Sequence, residues 1–196
     1  MLRVRDLAVS RGGVPLLAGV SFDVGPGEAV VLRGPNGVGK TTLLRTLAGL
    51  QPPDAGAAEL AEDAAAFAGH ADGLKGAMTV AENLLFWARL HGRHEVGAAM
   101  EAYGIAPLAE RAAADLSAGQ RRRAGLARLI ATGRPLWLLD EPAASLDAAS
   151  VALFEAALAA HLAAGGAAVL SAHGPSAPGR ALDLSDFRAP APTGWL

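Results

Sequence analysis

Apolar residues in this chain follow two spacings, short continuous runs near both ends and a three-to-four-residue recurrence in the middle. Residues 2–9 read as a strand, followed by a turn at Arg11-Gly12-Gly13. Residues 21–24 read as a second short strand, ended by Gly25-Pro26-Gly27. Ala29-Val30-Val31-Leu32 is an apolar run of strand length, as in a parallel strand buried on both faces. A glycine-rich turn and a helix over 40–50 follow, and Pro52-Pro53-Asp54 stops that helix. Short strands are predicted over 58–60 and 65–68. From 80 to 134 the pattern is mostly helical, with helices over 80–91, 95–103 and 118–132. In the first of these, Leu84, Leu85, Trp87 and Leu90 lie on or near one face. A strand over 136–139, a helix from Ala148 and a strand over 167–171 follow. The proline-rich tail, 188–196, is expected to be poorly ordered. Strand–helix–strand frames at both ends imply an α/β fold, one parallel-sheet domain over 1–196 with a helical insertion at about 76–134.

Composition narrows this picture. A chain of 196 residues can bury well over half of its unfolded surface without a staple. With no cysteine, a disulfide framework, a thiol nucleophile and a thiolate metal site are all excluded. The net charge of −2 gives no overall basic field for nucleic acid. Hydrophobic residues reach 52%, much of it alanine. The greasiest stretch, 148–170, is interrupted by Glu155 and His161 and broken by Gly165-Gly166. It reads as a core helix followed by a strand, so any action at a membrane needs another subunit to span it.

Three motifs carry chemistry. Gly34-Pro35-Asn36-Gly37-Val38-Gly39-Lys40-Thr41, followed by Thr42, matches G-x-x-x-x-G-K-[ST] between a buried strand and a helix. Its glycines let backbone N–H groups converge on phosphate oxygens, and the helix start adds partial positive charge. Lys40 is expected to reach the β/γ-phosphates and Thr41 to ligate Mg²⁺. Next, Leu136-Trp137-Leu138-Leu139 ends in Asp140-Glu141 at the C-terminal end of a strand, where open parallel sheets bind ligands. Asp140 is expected to hold Mg²⁺, mostly through water, and Glu141 to polarise an attacking water. The third motif is Leu116-Ser117-Ala118-Gly119-Gln120, in which Ser117 can cap a helix whose first N–H groups face outward. The Arg121-Arg122-Arg123 run after it reads as a solvated helix face with internal pairing.

In this order, with Ser145-Leu146-Asp147 and His173 beyond, the motifs resemble the ATPase domain of ATP-binding cassette (ABC) proteins over nearly the whole chain. The resemblance implies a P-loop NTPase fold with a parallel-sheet core, an N-terminal antiparallel β subdomain and a helical signature subdomain. It implies ATP and Mg²⁺ as ligands, and a homodimer in which Ser117, Gly119 and Gln120 of one copy face the nucleotide of the other. Asp147 matches the loop that couples the two sites, and His173 the histidine that contacts the γ-phosphate. Three positions depart from the family pattern. Ala118 replaces a signature glycine, His70 stands where a glutamine usually joins the subdomains, and Arg11 replaces the aromatic residue that stacks on adenine. A guanidinium can also stack on a base, so nucleotide binding is kept while base preference stays open.

The motifs alone fit the ATPase of any ABC transporter. Chromosome-acting relatives carry long coiled coils between phosphate loop and signature, and ribosome-acting ones carry two cassettes. Neither feature is present here, and a nucleic-acid partner is not expected. Gly69-His70, residues 82–87, Leu90-His91-Gly92, 116–123, Ala127-Arg128-Leu129 and 136–142 together resemble the ATPases of the bacterial haem exporter of cytochrome c maturation. That resemblance implies a peripheral subunit on the cytoplasmic face of the inner membrane. Its partners would be an integral membrane subunit of the CcmB type and a haem-handling membrane protein of the CcmC type. Hydrolysis would power haem export or release of a haem-loaded chaperone.

Overall fold

The protein is described by a computed structural model, which covers residues 1–172 and 179–190. Two sheets organise it. Strands β1 (Leu2–Arg11), β2 (Val14–Val24) and β4 (Ala55–Leu60) form an antiparallel sheet in the order β2-β1-β4. Strands β3 (Ala29–Arg33), β5 (Ala65–Ala68), β6 (Leu136–Asp140), β7 (Ala167–Ser171) and β8 (Arg180–Asp183) form a parallel sheet in the order β5-β6-β7-β3-β8. The helices are α1 (Lys40–Leu47), α2 (Val80–Leu90), α3 (Gly97–Ala102), α4 (Ala118–Thr132) and α5 (Ala148–Ala163).

The inner parallel strands β3, β6 and β7 are apolar up to their last residue because both faces are covered, and alternate residues go to different cores. Val30, Leu32, Leu136, Leu138 and Val169 pack toward α1 and the antiparallel sheet. Val31, Trp137, Leu139, Ala168 and Leu170 pack toward the other helices, against residues such as Leu84, Tyr103, Leu126 and Phe154. Register then fixes the site: Asp140 at the end of β6 lies opposite Ser171 at the end of β7.

The strand β2 begins at Val14, not Ser21. Its alternation is broken at Pro15 and at Gly19, which has φ 73°, so the strand pairs through irregular register. The strand β8 was not legible at all, because it is short and mostly exposed. Helix α1 ends at Leu47, three residues before the expected stop, with Gly49 at φ 71° just beyond. The four apolar residues of α2 do not share one buried face. Leu84 is buried and Trp87 half-buried, while Leu90 is 58% exposed. Of the tail, Arg188 bridges to Leu17 and residues 191–196 lie outside the described residues. No helix among the described residues is long and apolar enough to cross a membrane.

Candidate active site

The loop between β3 and α1 is built on left-handed glycines. Gly34, Gly37 and Gly39 have φ of 127°, 79° and 118°, a region that a residue with a Cβ enters only with strain. At Gly39 a Cβ would also press on Leu17 at 3.1 Å. Gly39 is the N-cap of α1 and offers no side-chain cap, so the first N–H groups of the helix are left to whatever binds there. Pro35, Asn36 and Gly37 are exposed at the rim, and Val38 and Thr42 are buried beneath it. The Lys40 ammonium lies across the loop and donates to the carbonyls of Gly34 at 2.8 Å and Pro35 at 3.2 Å.

One residue on, the Thr41 hydroxyl donates to Asp140 Oδ2 at 2.8 Å, joining the start of α1 to the end of β6. The Ser171 hydroxyl donates to the other oxygen, Oδ1, at 2.8 Å. Asp140 is 1% exposed, so its carboxylate is held by hydroxyls and not by water. A hydroxyl and a single carboxylate make a hard oxygen set. It suits Mg²⁺, which keeps most of its coordination for water and phosphate oxygens. Among the described residues, no group of three or more His, Asp or Glu side chains could hold a metal alone. His70, which follows β5, is exposed and places Nε2 3.7 Å from Asp140 Oδ2. A cavity of about 660 Å³ opens here, lined by Thr41, His70, Trp87, Arg128, Thr132 and Asp140 among others.

Glu141 sits beside this group with φ 49°, a rare backbone state for a residue with a side chain. Its N–H donates to Ser171 Oγ at 2.9 Å, and its carbonyl accepts from Arg122 Nη2 at 3.0 Å. Neither Ser171 nor Arg122 stands out in the sequence as a site residue. The arginine run is in fact not a solvated face. Arg122 is buried, Arg123 donates to the carbonyls of Tyr103 and Gly104, and Arg121 donates to that of Ala114. The helix turns one side of the run inward, where backbone carbonyls accept its N–H groups and Asp72 lies 3.6 Å from Arg122.

The signature residues stand apart from this cluster, at the exposed start of α4. There Ser117 and Gln120 form a reciprocal capping box. Ser117 Oγ accepts from the Gln120 N–H at 3.3 Å, and the Ser117 N–H donates to Gln120 Oε1 at 3.0 Å. Gly119 is helical, and a Cβ added there would meet nothing within 4 Å. Asp147 caps α5, accepting from the Ser150 N–H at 2.8 Å, and that bond holds its carboxyl below the usual carboxylate range. Arg11 is exposed at the end of β1, in the hairpin whose return strand lays Leu16 and Leu17 against Gly39. His173 lies outside the described residues.

A phosphate loop tied by a hydroxyl to the strand-end aspartate, with a signature sequence at the exposed start of a helix, defines an ABC-type ATP-binding subunit. Residues 17–144 match the ABC transporter family. A solved ATP-binding subunit of an ABC transporter shares the fold with a TM-score of 0.81 at 25% identity, over 88% of this chain and 79% of that one. The cytochrome c biogenesis ATP-binding export protein CcmA of Ruegeria pomeroyi is 56% identical over 97% of this chain and 95% of its own. The protein of the same name from Rhodobacter capsulatus is 58% identical over 98% and 91%. The chain belongs to the CcmA family of ABC transporter ATP-binding proteins.

Proposed function

We propose that the chain hydrolyses ATP between two copies of itself, as the energy-coupling subunit of the haem exporter of cytochrome c maturation. The observation that carries the ATPase reading is the Thr41–Asp140 bond, because it brings both oxygen donors for a nucleotide-bound cation to the phosphate loop. The backbone N–H groups of the loop and the Lys40 ammonium bind the β- and γ-phosphates. Thr41 and Asp140 would hold Mg²⁺, which when bound neutralises charge on phosphate oxygens. Glu141 accepts a proton from the attacking water and thereby orients it. His70 contacts the γ-phosphate side from the joint between subdomains, and the family resemblance gives His173 a contact with the γ-phosphate. Arg11 stacks on the base.

The second half of the site comes from the other copy. Ser117 Oγ uses a lone pair on Gln120 and keeps its own proton for a phosphate oxygen. The open space at Gly119 supports the close approach of a group from outside the chain, and Asp147 lies in the loop between the two sites. The membrane partner, of the CcmB type, docks on α2. Phe86 and Leu90 are 39% and 58% exposed there, and a shallow groove joins them to Met78, Leu85 and Arg89. A CcmC-type protein handles haem beyond it, with this chain peripheral on the cytoplasmic face.

The test is Glu141→Gln in the purified complex. It keeps the shape but lacks a base, so turnover should fall about a hundredfold or more while ATP still binds. Near-normal turnover would remove Glu141 from the reaction.

A further inference from the structure

Glu141 adopts a conformation that its sequence opposes twice. A left-handed φ places Cβ against the backbone, and the following Pro142 favours an extended residue before it. Such a state persists where the surroundings over-determine it. Here both peptide groups flanking the Glu141 Cα are held. The N–H on one side donates to Ser171 Oγ at 2.9 Å, and the carbonyl on the other accepts from Arg122 Nη2 at 3.0 Å.

Each holder has a second grip on the site. Ser171 donates to Asp140 Oδ1 at 2.8 Å, so a single hydroxyl links the metal-side carboxylate to the backbone of its neighbour. The other arm of Arg122, Nη1, donates to the carbonyl of Gly69 at 2.6 Å, immediately before His70. Asp72 of the same loop lies 3.6 Å from that arm and supplies a countercharge. Arg122 is 7% exposed, so these bonds act with little competition from water. Its planar fork therefore fixes the separation between two segments, the one carrying His70 and the one carrying Glu141. Arg122 also belongs to α4, whose exposed start carries Ser117.

We propose that Arg122 and Ser171 are positioning residues that hold Glu141 and the His70 loop as one unit, with Arg122 relaying the placement of α4 to Glu141. This rests on the ATPase reading above, and it assigns neither residue a contact with nucleotide. A lysine at 122 keeps the charge but loses the rigid planar fork whose two terminal nitrogens each hold one of the two carbonyls.

The test uses the full chain for ATP affinity and thermal melting, and the complete exporter complex for kcat and KM. Arg122→Lys should lower kcat about tenfold or more, since small displacements of reacting groups cost that much, while ATP affinity stays within about twofold. Ser171→Ala should lower kcat in the same way, and Ser171→Thr, which restores the hydroxyl, should recover most of it. In a Glu141→Gln background, Arg122→Lys should leave the residual turnover unchanged, because there is no base left to aim. A merely structural role would lower the melting temperature without this kcat-only loss and without the dependence on Glu141. If Arg122→Lys binds ATP normally and keeps a wild-type kcat, the proposal is overturned. If Arg122→Lys fails to fold, Ser171→Ala decides, and a wild-type kcat with intact ATP affinity overturns it. If Glu141→Gln itself retains turnover, the ATPase assignment of Glu141 has failed, which is a separate result.

Discussion

Two helices of this protein start within the phosphate-loop and signature motifs, and they do so differently. Helix α1 begins at a left-handed glycine with no side-chain cap, beside a lysine and the buried Asp140. Helix α4 begins at a serine that closes a full capping box with its own glutamine. The first leaves its N–H groups and its dipole for a ligand, and its surroundings within the same chain complete the site. The second satisfies its own backbone and offers only a hydroxyl proton and the N–H groups of Ala118 and Gly119. In the reaction proposed above, one end holds an anion alone, and the other stays helical until an anion is brought to it.

Substitutions at the two ends should therefore separate binding from completion. The largest effect is expected at α1. Lys40→Ala removes the charge-assisted phosphate contact proposed above, worth roughly 1.5–3 kcal/mol. ATP affinity of the isolated chain should fall about tenfold or more, and unchanged affinity by calorimetry would show that α1 is not the phosphate end. At α4 the signs should split. Gly119→Ala fills open space in a helix, so the chain should become more stable to urea by up to about 1 kcal/mol, with ATP affinity unchanged. Turnover of the assembled complex should nonetheless drop several-fold, because in the proposed dimer the added methyl occupies the approach to the partner's nucleotide. Normal turnover would mean that nothing comes close to Gly119.

A smaller effect lies away from both ends. The His161 ring stacks on Trp137 with centroids 3.9 Å apart and planes 9° from parallel. Burial lowers its pKa, against a weaker opposing bond to the Ala167 carbonyl. The folded chain therefore binds a proton here less readily than the unfolded chain. The stability His161 confers is present above the unfolded value of about 6.5 and is lost as pH falls below it. Wild type should lose more melting temperature between neutral and mildly acidic pH than His161→Phe does. Equal losses would show that the stack does not sense protonation.

Much of the α1 end was legible in the sequence, because the glycine spacing, the lysine and the strand-end acids are adjacent in the chain and each carries its own chemistry. The helix over 118–132 and the strand over 167–171 were legible for a similar reason, since strong periodicity or a continuous apolar run marks them. Ser171 was not. A serine closing a buried strand has no signature, and only the β6–β7 register sets it opposite Asp140. The pairing of Arg122 inside the chain fits the expectation, but its burial is hidden, because three consecutive arginines resemble a solvated face. Its burial depends on where α4 lands against the Gly69 loop, which is a tertiary fact. The early half of β2 and all of β8 were hidden by irregular register and by exposure, both of which erase the alternation that marks a strand.

Trp87 makes the joint between the two subdomains optically addressable. Its indole donates to the Gly73 carbonyl at 3.3 Å, and the Arg128 guanidinium lies over its ring at 4.8 Å. Both neighbours come from outside α2, one from the loop that follows His70 and one from α4. The emission energy of an indole depends on the charges and dipoles around it. A shift of either neighbour therefore alters the local field at Trp87, and the chain carries its own chromophoric gauge of that joint without an attached dye.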